Sequence, residues 1–280
     1  MSDHTLAVAA LQMVSTPDVA RNLAAASALM QQAADGGARL VALPEYFCLL
    51  GRQDRDKLAI AEALDDGPIQ AHLAGEARRL GLWVVGGTLP IRTDDPERVR
   101  NTSLVWNPQG QRVARYDKIH LFAFDNGRER YDEGRVLQAG ATPVVVDVDG
   151  WRVGLSVCYD LRFPELYRAL MQPACDLILV PSAFTHTTGA AHWDLLLRAR
   201  AVENQCYVLA PAQGGLHENG RRTWGHSLLA DPWGSLLACQ PEGEAVVAGT
   251  LSRERLAAVR QQLPALAHRR LQAARPEADD

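Results

Sequence analysis

Ten short runs rich in Val, Ile and Leu recur along the chain: Leu6–Leu11, Leu40–Leu43, Leu82–Thr88, Ser103–Trp106, Val144–Val148, Arg152–Val157, Leu177–Val180, Tyr207–Ala210, Ser227–Ala230 and Ala245–Thr250. Runs this short and this apolar read as buried strands. The segments between them are amphipathic or Ala-rich. They predict helices over Asp18–Ala34, Pro68–Leu80, Pro164–Leu170, His192–Asn204 and Arg253–Gln262. Pro68 and Pro164 suit first-turn positions, and Asp35-Gly36-Gly37 and Gly81 suit C-terminal stops. Strands interleaved with helices predict an α/β layered fold. The turn sequences Asn107-Pro108-Gln109-Gly110, Asp149-Gly150 and Asp231-Pro232-Trp233-Gly234 join neighbouring runs directly, so hairpins and mixed sheets are expected.

No repeat, low-complexity stretch or Pro/Gly/Ser-rich linker divides the 280 residues, which predicts one domain over 1–280 with a frayed tail from about residue 271. A 47% hydrophobic, 22% charged composition excludes a disordered or collagen-like chain. Net charge is −4 with no basic block, so neither nucleic acid nor an anionic membrane is expected as partner. No run approaches the roughly 18 apolar residues of a spanning helix. Met1-Ser2-Asp3-His4-Thr5 carries no Lys or Arg ahead of its apolar run, a poor signal peptide. Five widely spaced cysteines without a Cys-x-x-Cys pair argue against disulfides or a zinc site and for a reducing compartment, the cytoplasm.

In that setting one cysteine is a candidate nucleophile. Cys158 follows the apolar run Trp151–Val157 and precedes Pro164, which opens a helix. A thiol at the C-terminal end of a strand sits where open α/β sheets place ligands. A small core thiol is the equal alternative. Cys48, Cys175, Cys206 and Cys239 are expected to be core residues. Glu45, after Leu43-Pro44, also falls at a strand end, where a carboxylate needs a counter-charge or a task. Lys118 and Glu133 are weak signals alone, and Gly127–Gly134 reads as a solvated loop. The histidines lack metal spacing. Gly154-Leu155-Ser156-Val157-Cys158 begins like a nucleophile elbow but has Cys where the second Gly belongs, which leaves Ser156 as a neighbour of Cys158.

Taken together, Leu43-Pro44-Glu45, Asp117-Lys118-Ile119-His120-Leu121-Phe122 and Val157-Cys158-Tyr159-Asp160-Leu161-Arg162-Phe163-Pro164-Glu165-Leu166 resemble the three ordered motifs of the nitrilase (carbon–nitrogen hydrolase) superfamily. Pro181-Ser182-Ala183-Phe184, Gly225-His226-Ser227 and Asp231-Pro232-Trp233-Gly234 are similar to its amidase branch, and Ala212–His217 looks closest to deaminated-glutathione amidases. Tyr159-Asp160 stands where true nitrilases have Trp-Glu, which speaks against a nitrile.

The resemblance implies an α-β-β-α four-layer sandwich with mixed sheets, assembled as a homodimer or higher homo-oligomer. It implies a thiol amidohydrolase that cleaves a small linear amide to carboxylate and ammonia through a thioester. Cys158 is then the nucleophile, Glu45 the general base, Lys118 the oxyanion partner, and Glu133 the group that holds Lys118 or the substrate. Tyr46, Phe122, Tyr159 and Phe184 are candidate substrate contacts, and Arg162 with Glu165 forms either an ion pair or a carboxylate site. No metal or cofactor is implied. The substrate alternatives are an ω-amide (α-ketoglutaramate or α-ketosuccinamate) or an N-carbamoyl compound. A catalytically silent scaffold is the non-enzyme alternative.

Overall fold

The computed structural model describes residues 4–127 and 130–271. Among these, the strands gather into two large sheets. The first has seven: Ala245–Ser252, Thr5–Gln12, Leu40–Ala42, Trp83–Val85, Val99–Trp106 and Leu89–Arg92 in spatial order, with Arg112–Asp117 also paired to Val99–Trp106. The second has six: Leu236–Gln240, Ser227–Ala230, Tyr207–Ala210, Leu177–Leu179, Trp151–Leu155 and Val144–Val148. Each has a parallel centre, Thr5–Gln12 to Trp83–Val85 in one and Trp151–Leu155 to Tyr207–Ala210 in the other, flanked by antiparallel strands.

Period-two alternation assigns the layers. Along Thr5–Gln12, Leu6, Val8 and Ala10 pack with Val153, Leu155 and Val208 of the second sheet. Ala9 and Leu11 face the other way, against Leu29 and Met30 of helix Val19–Asp35 and Leu73 and Ala77 of helix Pro68–Leu80. Helices Pro164–Ala169 and His186–Asn204 add Leu166, Tyr167, Trp193 and Leu197 to the second sheet's cluster. The result is an α-β-β-α sandwich with mixed sheets.

The expected hairpins form. Asp149 and Gly150 take φ +51° and +82°, as a two-residue primed turn requires. Helix His186–Asn204 begins six residues before the pattern suggested. Thr185 caps it, its Oγ1 accepting from the Thr188 N–H at 3.4 Å. Its first turns show no apolar stripe because Gly189 lies under Trp224, where a Cβ would come within 2.3 Å of the Trp224 Cβ.

Gly127–Gly134 is not the solvated loop expected from its charge. Ala123–Asp125 pairs with Arg130–Asp132, and Glu133 opens a short 3-10 turn; Arg128 and Glu129 lie outside the described residues. The cause is Glu133, which the interior binds. The tail called frayed from about residue 271 falls at 272–280 outside the described residues.

Candidate active site

Three strand ends deliver the candidate groups. The chain leaves Leu40–Ala42 through Leu43 and Pro44, places Glu45, then turns at Tyr46 with φ +57°. The Tyr46 N–H donates to Thr88 Oγ1 at 2.9 Å, which holds that turn. Lys118 directly follows Arg112–Asp117; its N–H donates to the Asn101 carbonyl at 3.0 Å, and its carbonyl accepts from Gly140 at 2.8 Å. Cys158 lies just beyond Trp151–Leu155 at φ +49° and starts the 3-10 turn Cys158–Arg162. A non-glycine residue at positive φ costs of order 1 kcal/mol or more and persists only when its surroundings hold it. Here Cys158 N–H donates to Pro181 O at 2.9 Å, and Val157 N–H to Asp160 Oδ2 at 2.9 Å.

The three ends meet in one place. Lys118 Nζ donates to Glu45 Oε1 at 2.9 Å and Glu133 Oε2 at 2.7 Å, with its side chain wholly buried. Glu45 also accepts from Asn101 Nδ2 on Oε1 and the Ala183 N–H on Oε2, both at 2.9 Å. Glu133 accepts from the Tyr46 hydroxyl at 2.7 Å and the Phe122 N–H at 2.8 Å.

These contacts decide the charges. Burial alone would push the Lys118 ammonium down, but Glu133 and Glu45, with the Cys158 sulfur, outweigh it and hold it well above the ordinary lysine value. Burial would raise the Glu133 carboxyl; the charge and hydrogen bond of Lys118 outweigh that and keep it below the usual range. At Cys158 burial and the Glu45 charge both push the thiol up, and the opposing pull of Lys118 is too small. The resting sulfur is therefore protonated, beside an ionised Lys118 and Glu133. Lys118 does not balance the Glu45 charge at the sulfur, because it is already shared between two carboxylates.

A cleft of about 220 Å³, including its open mouth, lies over Cys158 and is walled by Phe122, Tyr159, Arg162, Phe184 and Thr188. Three of the four expected contacts are thus in the wall. Tyr46 is not: its hydroxyl is taken by Glu133, so it supports the charged cluster from behind. Arg162 makes no ion pair with Glu165, which is exposed. Its Nη1 lies 3.2 Å from His192 Nδ1, and its guanidinium stands over the rings of Phe184 and Tyr159 at 5.4 and 5.8 Å.

Ser156 turns from the cleft; its hydroxyl contacts Tyr167 and the Leu179 carbonyl. Cys48, Cys175 and Cys206 are buried as expected, with burial pushing Cys48 and Cys175 up to about 12. Cys239 is exposed, because Leu236–Gln240 is an edge strand.

Two supporting residues escaped the sequence reading. Asn101 ties Glu45 and Lys118 together through its side chain and carbonyl. Asp160 is fully buried and accepts from the His120 N–H, His120 Nδ1, the Tyr116 hydroxyl and the Val157 N–H at 2.6–2.9 Å. It thereby straps the lysine segment to the cysteine turn. An acidic residue between apolar Val157 and Leu161 was its only sequence signal.

A family model described as carbon–nitrogen hydrolase matches residues 7–261. The chain belongs to the carbon–nitrogen hydrolase family. It is 41% identical over 266 residues to a deaminated glutathione amidase of Yersinia enterocolitica, covering 94% of this chain and 92% of that one. Among solved structures it is similar to a Saccharomyces cerevisiae member of branch 10 of the nitrilase superfamily, with TM-score 0.86 and 30% identity over 96% of this chain and 97% of that one. It is also similar to a Glu-to-Gln variant of an amidase from Nesterenkonia sp. AN1 that shows Michael addition of acrylamide at the active-site cysteine. That match has TM-score 0.78 and 27% identity over 92% of this chain and 98% of that one. As a carbon–nitrogen hydrolase, this chain is an enzyme acting on C–N bonds.

Proposed function

We propose that this carbon–nitrogen hydrolase is an amidase with a Cys158 nucleophile, and that deaminated glutathione is its substrate. The observation that carries the reading is the convergence of Glu45, Lys118 and Glu133 beside a thiol that opens onto a cleft. An amide is a poor electrophile, and passing through a thioester splits its cleavage into two easier steps. The protonated sulfur must lose its proton as it attacks, and Glu45 is the base that receives it. As the C–S bond forms, the carbonyl electron pair moves onto oxygen. Lys118 Nζ and the Tyr159 N–H, in the first turn of its 3-10 helix, receive that charge. Glu45 then gives the proton to the departing nitrogen. Water enters, Glu45 takes its proton, and collapse of the second intermediate returns the thiol and a carboxylate product. Glu133 and Tyr46 hold Lys118 in place.

With deaminated glutathione the departing nitrogen is the amine of a dipeptide; ammonia leaves only from a primary amide. Arg162, with no carboxylate partner among the described residues, supports an acidic substrate. The runner-up is an ω-amide such as α-ketoglutaramate. Turnover of both amides, read as amine or ammonia release, separates the two. No turnover of either, with Cys158 unreactive to iodoacetamide, would leave only the silent scaffold.

We further propose a cytoplasmic location and a homo-oligomer. No described helix is long and apolar enough to cross a membrane, and all five cysteines are free. Exposed Leu195 and Val202 lie two turns apart on one face of helix His186–Asn204, and Val202 lies against Gly234, next to exposed Trp233, a patch suited to a second copy. Light scattering of Val202→Glu tests this: a monomer is expected, and an unchanged mass assigns the contact elsewhere.

A further inference from the structure

Two cations beside the site have no task in the hydrolysis. Lys57 projects from the short helix Asp56–Ala59, its side chain only 12% exposed, and its ammonium stands 4.7 Å from the Tyr46 ring centre. Its ion-pair partner, Asp54, is 3.7 Å away and largely in solvent. Burial lowers the Lys57 ammonium, and the charges of Glu133, Glu45 and Arg221 all reach it, so it belongs to the field of the site. Arg221 stands 5.2 Å from the Tyr131 ring centre, and no carboxylate among the described residues pairs with it.

The rings connect these cations to the cleft. Phe122, in the cleft wall with Cys158, meets Tyr159 at 5.1 Å on one side and Tyr131 at 5.6 Å on the other. Arg162 covers Tyr159, and Arg221 covers Tyr131. One aromatic wall thus carries a guanidinium at each end, with Lys57 adding a second positive charge on the Arg221 side. Two like charges held near each other are costly alone and favourable once an anion joins them.

We propose that Lys57 and Arg221 form a second anion-binding pole, at the other end of this aromatic row from Arg162, so that the enzyme selects amides with a carboxylate on each side of the scissile bond. This rests on the amidase reading and deepens it. Deaminated glutathione carries such a pair of carboxylates, and an ω-amide of a keto acid carries only one.

The test is calorimetric binding to the full chain carrying Cys158→Ala, which needs no turnover. The ligands are deaminated glutathione and the same molecule with its glycine carboxylate converted to a carboxamide. The acid should bind at least about tenfold more tightly, as a charge-assisted contact implies. That preference should collapse in Lys57→Met/Arg221→Met and survive in Lys57→Arg. Arg221→Met alone, at a half-buried position, should already weaken it. Equal affinity for both ligands, or a preference that survives both methionines, overturns the pole. Turnover without charge preference sinks the pole and keeps the amidase; charge-selective binding by a chain whose wild type cleaves no amide does the reverse.

Discussion

The two turns that build the site are alike in backbone and opposite in chemistry. Each leaves a parallel strand and passes through a residue with positive φ, Tyr46 at +57° and Cys158 at +49°. At the first, the functional residue precedes the strained one, and Glu45 is surrounded by donors from Lys118, Asn101 and Ala183. At the second, the strained residue is itself the functional one, and its sulfur opens onto the cleft. A buried charge survives only among partners. A nucleophile needs reach, and a turn that lifts it off the strand supplies that.

The comparison breaks first at the sulfur. Cys158→Ala should lower kcat on the order of 10⁴-fold or more while the melting temperature stays within a few degrees, since Lys118, Glu45 and Glu133 keep their hydrogen bonds to one another. Cys158→Gly should be equally inactive yet melt higher than the Ala variant, because glycine relieves the positive φ. If the glycine variant melts lower, the turn is not strained.

At the other turn, loss of a partner should be structural as well as catalytic. Lys118→Met leaves Glu45 and Glu133 buried without a cation. A cost of about 3–5 kcal/mol is expected in urea denaturation, with kcat falling more than KM rises. A variant as stable as wild type would mean that water already reaches the cluster.

The wild-type pH profile follows from the same groups. Glu133 is held below the usual carboxylate range, so the stability it contributes is present above about pH 4.3 and lost as pH falls through its folded value. Lys118 is held up, so its contribution is complete below about pH 10.4 and lost only as pH rises through its folded value. The thiols of Cys158 and Cys206 are pushed up, so their contribution is complete below about pH 8.5 and declines above it. Burial holds the His217 imidazole below its ordinary value, so protonation costs stability below about pH 6.5, and urea denaturation should therefore show a plateau from about pH 6.5 to 8 with losses on both sides. A maximum below pH 4 would contradict the ionised Glu133.

Asp160→Asn probes the strap between the turns. It should lower kcat by roughly tenfold with KM little changed, because it loosens the lysine against the cysteine without touching the cleft wall. An equal fall in kcat and rise in KM would make Asp160 a general packing residue. Tyr46→Phe should have the smallest effect, about 1–2 kcal/mol in stability and a few-fold in kcat, since it removes one donor of the two on Glu133 besides Lys118.

Much of this site was legible before any coordinates. Glu45 and Cys158 lie at strand ends because apolar runs of four to seven residues stop just before them; Lys118, preceded by Arg115-Tyr116-Asp117, was a weak signal alone, and the order of the three motifs carries the family resemblance. Glu133 was weaker, since charged neighbours from Gly127 to Gly134 disguised it as surface. The interior role of that segment rests on a hydrogen bond to Lys118, fifteen residues away. Asn101 and Asp160 had no pattern of their own, because what they do is join segments.

Local regularity is what the chain alone determined. Strand and helix periodicity and turn residues follow from short-range sterics and from the burial of apolar faces, and those fix an α/β layered fold; the three ordered motifs carry the resemblance that implies the sandwich and a thiol hydrolase. The charge state of the sulfur, the sharing of one ammonium between two carboxylates, the placement of Tyr46 behind the cluster and the cations at both ends of the aromatic wall were decided only in three dimensions. Each depends on groups brought within a few ångströms from distant parts of the chain, where Coulomb energies and desolvation change steeply with position.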